Sequence, residues 1–315
     1  MAMYLQFFGV RGSYPVPDTK MMNYGGRTAS VMFTKKNVED KNIPLFVDAG
    51  LGFIEAGKAI MPGIFFGSIS KTFTVLFTHL HPDHTEGFTF FGPNFLPDVE
   101  MHLLGPASLK KNVGIVLRDK MAPPTYPIEY KDLKSKRIHG VVEDGDVLWI
   151  DQSGAPVRKK PATPLFEVKV MQSFAPSHPQ QGSIYYRVTD PDTGKSVVCL
   201  WDIESRRGGD QRAIAFSRGC DALIHDSQYT DEEYDSTGPV VVQGFGHSTY
   251  TMALENARLA GAKVLIPFHY NPSHTDEKLD EIEKYVENLN ELNTTMNGDE
   301  KVKVIMSKEG LTLEI

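Results

Sequence analysis

Short runs of β-branched and aromatic residues recur along the chain, alternating with polar positions or wholly apolar, with turn-forming residues between them. They are "YLQFFG", "ASVMFT", "PLFVDAG", "FTVLFTH", "MHLLG", "FEVKVM", "SIYYRVT", "SVVCLWD", "ALIHD", "KVLIPFHY" and "KVKVIMS". This pattern predicts strands. "YRVTDPDTGKSVVCLWD" predicts a hairpin, because Asp-Pro-Asp-Thr-Gly is turn chemistry between two alternating runs. Helical spacing is rarer. In "TDEKLDEIEKYVENLNEL" the apolar Leu279, Ile282, Val286 and Leu289 share one face behind a cap at Thr275 or Asp276. "HSTYTMALENARLAGAK" predicts a helix stopped at Gly261. Strands lead and helices then interleave without repeats, so the expected architecture is one layered α/β domain over residues 1–315, built on mixed sheets. The irregular, Lys- and Pro-rich stretch 106–164 is expected as an inserted lobe over a site or as a long surface connection.

Composition narrows the classes of function. With 315 residues and 41% hydrophobic content the chain can bury a large core. A formal charge of −7 argues against non-specific coating of nucleic acid or of an anionic membrane. A local exception lies between Leu109 and Lys160, where eleven Lys or Arg face seven Asp or Glu. Two cysteines, Cys199 and Cys220, cannot build a disulfide framework or a four-thiolate zinc site, which fits a reducing compartment. No basic leader and no long apolar span is evident, so a cytoplasmic protein without a membrane span is expected.

The chemistry is concentrated in "FTHLHPDHTEGF", where His79, His81, Asp83 and His84 fall within six positions directly after a predicted strand. Imidazole and carboxylate suit Zn²⁺ and also Mn²⁺ or Fe, and the lack of thiolates disfavours a closed structural zinc site. Four ligands so close in sequence cannot all serve one ion without strain. Two divalent ions are expected, a pair about 3.5–4 Å apart being the arrangement of many hydrolytic sites, with further ligands drawn from elsewhere in the chain.

"HLHPDH" resembles the H-x-H-x-D-H signature of the metallo-β-lactamase-fold hydrolases, and later segments resemble the family in its order. The resemblance implies an αββα four-layer sandwich of two mixed β-sheets flanked by helices. It assigns His178 in "APSHPQQGSIYYRV" as third histidine of one metal, Asp202 in "VVCLWDIE" as a bridging carboxylate and His269 in "VLIPFHYNPSHTDEKLDE" as the last histidine. One metal would then take His79, His81 and His178, the other Asp83, His84 and His269. Asp202 stands where antibiotic-destroying members typically carry cysteine, which disfavours lactam hydrolysis. His81 stands where flavodiiron proteins typically carry glutamate. "GFGHSTYTMALENARLAGAKVLIPFHY" is similar to the His-Ser-Thr segment of ribonuclease Z and the class II cyclic-nucleotide phosphodiesterases, which implies that His247 assists the leaving group and that Asp226 orients it. A Gly/Pro-rich basic arm like that of ribonuclease Z is not evident, so precursor tRNA is disfavoured as substrate. Arg27 in "YGGRTAS" stands where relatives often show asparagine.

These residues predict a dinuclear metal-dependent phosphodiesterase acting on a nucleotide or small nucleic acid. Two cations would supply hydroxide at neutral pH, Asp83 would ligate and orient it, and His247 would protonate the departing alkoxide. A lactone or thioester hydrolase and a non-hydrolytic di-iron oxygen-binding or sensor protein are the alternatives. His102, His139, His225 and His274 are read as structural, with His225 sent by strand alternation to the face opposite Asp226. Phe88, Phe90, Phe91 and Phe95 are read as core, a base-stacking role for Phe91 being the less favoured reading. "GVRGS" and "YGG" are read as turns rather than a phosphate site. A homodimer contact through the middle region is a further expectation.

Overall fold

The computed structural model describes residues 2–107, 111–173, 178, 182–235, 240–297 and 301–315. Its first half builds a seven-stranded sheet from β1 (Tyr4–Gly9), β2 (Ser30–Lys36), β3 (Asn42–Val47), helix α1 (Gly52–Phe66), β4 (Thr72–Leu76), β5 (Glu100–Gly105), α2 (Val113–Lys120) and β6 (Lys136–Val141). The second half follows with β7 (Val147–Ile150), β8 (Pro156–Val157), β9 (Phe166–Gln172), β10 (Ile184–Thr189), β11 (Ser196–Leu200), α3 (Gln211–Ser217), β12 (Ala222–Asp226), α4 (Asp231–Tyr234), α5 (Tyr250–Ala260), β13 (Val264–Phe268), α6 (Asp276–Asn297), β14 (Lys303–Val304) and β15 (Thr312–Glu314). The sheet orders are β15-β1-β2-β3-β4-β5-β6 and β14-β13-β12-β11-β10-β9-β7-β8.

Each sheet is antiparallel on one side and parallel on the other. β3 to β6 run parallel in the first sheet, and β11 to β14 in the second. Strands such as β11 and β12 are buried along their whole length, as parallel strands covered on both faces are. Between the sheets lies a core of Leu5, Phe7, Val31, Phe33, Leu45, Val168, Tyr186, Val198, Ile224 and Ile266, continuous with the apolar faces of α5 and α6. A second core, with Phe46, Phe53, Phe73, Phe88, Phe91 and Leu117, packs α1, α2 and the turns after β4 on the outer face of the first sheet. The result is the expected four-layer αββα sandwich.

Local predictions hold at several points. The hairpin is β10–β11, paired antiparallel from Tyr186 with Cys199 to Thr189 with Ser196. Gly261 ends α5 at φ 63°, and Lys278 N donates to Thr275 Oγ1 at 3.2 Å at the start of α6. Helix α1, "GFIEAGKAIMPGIFF", has no clear sequence signal because two glycines and Pro62 interrupt it. Its Gly57 is needed for packing: a Cβ there would lie 2.8 Å from the Phe91 ring, which stacks on Phe53 with centroids 3.8 Å apart. Phe88 and Phe91 are core, while Phe90 and Phe95 are exposed.

The stretch 106–164 is divided rather than set apart. It gives β6 to the edge of the first sheet and β7 and β8 to the edge of the second, leaving α2 and the turns after it on the outside. Residues 108–110, part of the expected basic segment, lie outside the described ones.

Lys35 on β2 is buried with its ammonium paired to the equally buried Asp190 and to Asp192. Removing one partner of a buried pair leaves the other charge uncompensated. Lys35→Met is therefore expected to lower the unfolding free energy by about 3–5 kcal/mol, read as a lower urea midpoint with an unchanged m-value.

Candidate metal centre

The site lies where the two parallel halves meet, at the carboxyl ends of β3, β4, β11, β12 and β13. This is the edge at which open α/β sheets commonly place their ligands. β4 leads into His79, His81 and a 3-10 turn over Pro82–His84; β11 leads to Asp202, β12 ends in Asp226, and β13 leads to His269. His178 also reaches the cluster, although residues 175–177 and 179–181 of its predicted segment lie outside the described ones.

Four overlapping groups of donor atoms form among the described residues, two of them joining His247 to Asp202 and His178 or to Asp226 and His269, and the other two made of the predicted ligands. His79, His81 and His178 make one, and Asp83, His84, Asp202 and His269 the other, with donors in each group within 4.8 Å of one another. Asp202 faces both. Its Oδ1 lies 3.2 Å from His84 Nε2 and 3.3 Å from His269 Nε2, while its Oδ2 lies 3.6 Å from His79 Nε2 and 3.7 Å from His178 Nε2. Asp83 Oδ2 is 3.2 Å from His84 Nε2, and His81 Nδ1 is 3.1 Å from His178 Nε2. Donors about 2.0–2.2 Å from a tetrahedral ion stand roughly 3.3–3.6 Å apart, so these separations are close to the edges of two coordination polyhedra.

The residues fit divalent metal on a second count. His79 Nε2 and Asp202 Oδ1 are buried without a hydrogen-bond partner. Such orphaned atoms are costly unless something else occupies their lone pairs. The opposite ring nitrogens are engaged, which fixes the tautomers. His84 Nδ1 is 2.7 Å from Asp48 Oδ2, His269 Nδ1 is 3.0 Å from Gln228 Oε1, and His178 Nδ1 is 3.3 Å from the Gly246 carbonyl oxygen. In each case Nδ1–H donates outward and Nε2 is left as a donor to the centre.

Electrostatics point the same way. Burial pulls His79 and His81 below their ordinary values and His178 to about 4, which keeps these imidazoles in the neutral, ligating form. For His84 burial acts in the same sense, but Asp202, Asp83 and Asp48 outweigh it and raise the imidazole well above its usual value. Burial alone would raise Asp83 and Asp202, yet the surrounding histidines hold both carboxyls well below the carboxylate range.

His247 stands beside both groups, its ring stacked on His269 with centroids 5.0 Å apart and 5.5 Å from that of His178. Its Nδ1 is 2.8 Å from Asp226 Oδ2. Burial disfavours its charge, and the neighbouring Asp226 more than reverses this, so its pKa is raised. Asp226 also accepts from Asp202 N at 2.9 Å, Ser248 N at 2.9 Å and Gln228 N at 3.3 Å.

Several contributors escaped the sequence reading. Asp48 accepts from Thr78 N, Thr78 Oγ1 and Trp201 Nε1 as well as His84, at 2.8, 2.7, 2.6 and 2.7 Å. The signal available was an acidic residue ending the apolar run "PLFVDAG". "GVRGS" is more than a turn: Ser13 N donates to Asp83 Oδ2 at 2.8 Å, and Gly12 leaves room for the His269 ring, which any Cβ would strike. Buried Arg11 donates to the carbonyl oxygens of Gly25, Asn271 and His274, fastening the N-terminal hairpin to the segment after His269. Arg27, away from the donors, pairs with Glu309 and lies 3.8 Å from Glu55. The histidines read as structural stay outside the centre: His225 bonds Asn256 on α5, His274 bonds Glu233, His102 bonds Glu100 and His139 bonds Tyr130.

Residues 45–270 match the family model of the beta-lactamase superfamily domain, and the chain belongs to that superfamily. Ribonuclease Z of Brevibacillus brevis is 25% identical over 267 residues, covering 72% of this chain and 80% of that protein. Among solved structures, unliganded yeast PDE1 superposes with a TM-score of 0.61 at 13% identity, covering 100% of this chain and 99% of that one. The short form of human tRNase Z superposes at 0.58 and 18% identity, covering 98% of each. The superfamily's fold implies divalent metal. Asp48→Asn, which removes the charged acceptor on His84, is expected to weaken divalent-metal binding about 10–100-fold in a competing-chelator titration, with the far-UV circular dichroism retained.

Proposed function

We propose that this enzyme is a dinuclear metal-dependent phosphodiesterase acting on a nucleotide or small nucleic acid, with Zn²⁺ the ion its donors suit best. His79, His81 and His178 would hold one cation, Asp83, His84 and His269 the other, and Asp202 both. When bound, the cations activate a water and draw charge from the phosphoryl oxygens.

The observation that carries the reading is the Asp226–His247 pair beside the donor groups. Asp226 accepts a hydrogen bond from Nδ1–H at 2.8 Å, which leaves the Nε2–H of the protonated ring to deliver a proton to an alkoxide leaving group. Asp226 orients the ring and stabilises the imidazolium. Asp83, fixed by Ser13 N at 2.8 Å, would ligate its cation and orient the attacking water. Hydrolysis of a lactone or thioester gives less reason for such an acid. The names ribonuclease Z, tRNase Z and PDE1 among the similar proteins support phosphodiester chemistry. Among the described residues no helix is long and apolar enough to cross a membrane, and a cytoplasmic setting is part of the proposal.

His79→Ala and Asp202→Ala are expected to lose metal and to abolish hydrolysis of bis(p-nitrophenyl) phosphate; unchanged turnover by the metal-loaded variants would sink the mechanism. His247→Ala is expected to keep its metal and to lose about 10²–10⁴-fold in kcat on a dinucleotide. The loss should be smaller with a p-nitrophenolate leaving group, which needs no proton. Equal losses on both substrates would remove the general-acid role.

A further inference from the structure

In the basic stretch after β5, Lys120 is a cation that no ion pair engages among the described residues. Helix α2 begins beside Gly105, where a Cβ would meet the Val113 side chain, and ends at Lys120. Its last turn is carried towards the centre by packing. Leu117 and Met121 share the outer core with Phe88, Tyr130 N donates to the Met121 carbonyl oxygen at 3.3 Å, and the Tyr130 ring stacks on Phe88 with centroids 6.1 Å apart. Tyr126 OH closes the arrangement on the Thr89 carbonyl oxygen at 2.8 Å. The end of α2 thus leans on the turn Glu86–Phe90, which directly follows the donor cluster.

Lys120 is partly buried there, and no hydrogen bond or ion pair holds its ammonium among the described residues. Its neighbours differ. Arg118 lies near His139 and Tyr130, Lys111 pairs with Asp119 at 2.5 Å, and Lys136 pairs with Glu100 at 2.7 Å. Burial lowers the Lys120 pKa, and the opposing charges that reach it are those of Glu86 and Asp83. Lysine commonly buries its stem and keeps its ammonium free, and here that ammonium stands on the side of Glu86 and Asp83. Asp83 cannot serve as its partner in the loaded enzyme, because its charge would be committed to a cation.

Resting on the phosphodiesterase reading, we infer that Lys120 is a substrate-binding residue whose ammonium grips a phosphoryl oxygen at the α2 side of the cleft, on the scissile phosphate or the phosphate next to it.

The test compares wild type, Lys120→Met and Lys120→Arg in the metal-loaded enzyme on the dinucleotide UpU and on its 5′-phosphorylated form pUpU. A charge-assisted contact predicts a KM about tenfold higher for Lys120→Met, with a weaker salt dependence, and substantial recovery in Lys120→Arg. Loss on both substrates assigns the scissile phosphate; loss on pUpU alone assigns the neighbouring one. If wild type turns over both and Lys120→Met matches it, or if Lys120→Arg is as impaired as Lys120→Met, the inference is overturned. Should wild type hydrolyse neither, the phosphodiesterase reading fails by itself. Equilibrium binding of uridine 3′,5′-bisphosphate then decides on Lys120: affinity about tenfold weaker in Lys120→Met supports it, and equal affinity rejects it.

Discussion

The constraint on which the rest of the structure depends is the burial of ionisable donors at one point between two sheets. His79, Asp83, His84, His178, Asp202 and His269 are all buried, and two of their lone pairs have no hydrogen-bond partner. A protein interior tolerates such a cluster only if the charges are paired and the lone pairs occupied. Cation binding meets both conditions at once. It neutralises the carboxylates and uses the nitrogens of His79 and His178, which burial keeps neutral. Metal affinity and fold stability are therefore linked through the same atoms.

The backbone supplies the placement. Among the described residues five non-glycine ones have left-handed φ values, and four of them, Ser13, Asp48, Asp202 and His269, stand in or against the centre, at 63°, 60°, 57° and 63°. Three of these come directly after β3, close after β11 and directly after β13, so the chain turns sharply where it leaves a rigid strand. Conformations of this kind cost free energy and persist where the surroundings over-determine them. Here the surroundings are hydrogen bonds. Asp226 receives the Asp202 amide and the His247 ring on one oxygen and the Ser248 and Gln228 amides on the other, while Gln228 orients His269. One carboxylate thereby sets Asp202, His247 and, through Gln228, His269 in a common frame.

Much of this was legible in the sequence. The hexapeptide from His79 to His84 states its chemistry because four donors fall together, and strands with apolar runs announce themselves by periodicity. His178, Asp202, His247 and His269 needed the family resemblance, since a single histidine or aspartate carries no signal of its own. Asp48, Gln228, Gly12 and Ser13 were not legible because their roles depend on three-dimensional approach: an acceptor behind His84, a carboxamide behind His269, space for a ring and an amide aimed at Asp83. Helix α1 was hidden for another reason. Its stability comes from the aromatic stack of Phe53 on Phe91 rather than from propensity, and Gly57 and Pro62 weaken the local pattern.

The same geometry joins the proposed acid to the metal ligands more closely than their sequence separation suggests. Glu204, two residues after Asp202, accepts from Tyr234 OH at 2.7 Å, Gly244 N at 2.7 Å and Gly246 N at 2.9 Å. The Gly246 carbonyl oxygen in turn faces His178 Nδ1 at 3.3 Å, and His247 follows immediately. A displacement of this loop would shift the acid and loosen a histidine of the first donor group together. Beside Asp226, the placement of His247 and His178 thus also depends on a second carboxylate, Glu204, on the strand-end that bears Asp202. The exposed Val240, Val241 and Phe245 of the same loop then lie on a segment whose position the centre itself holds.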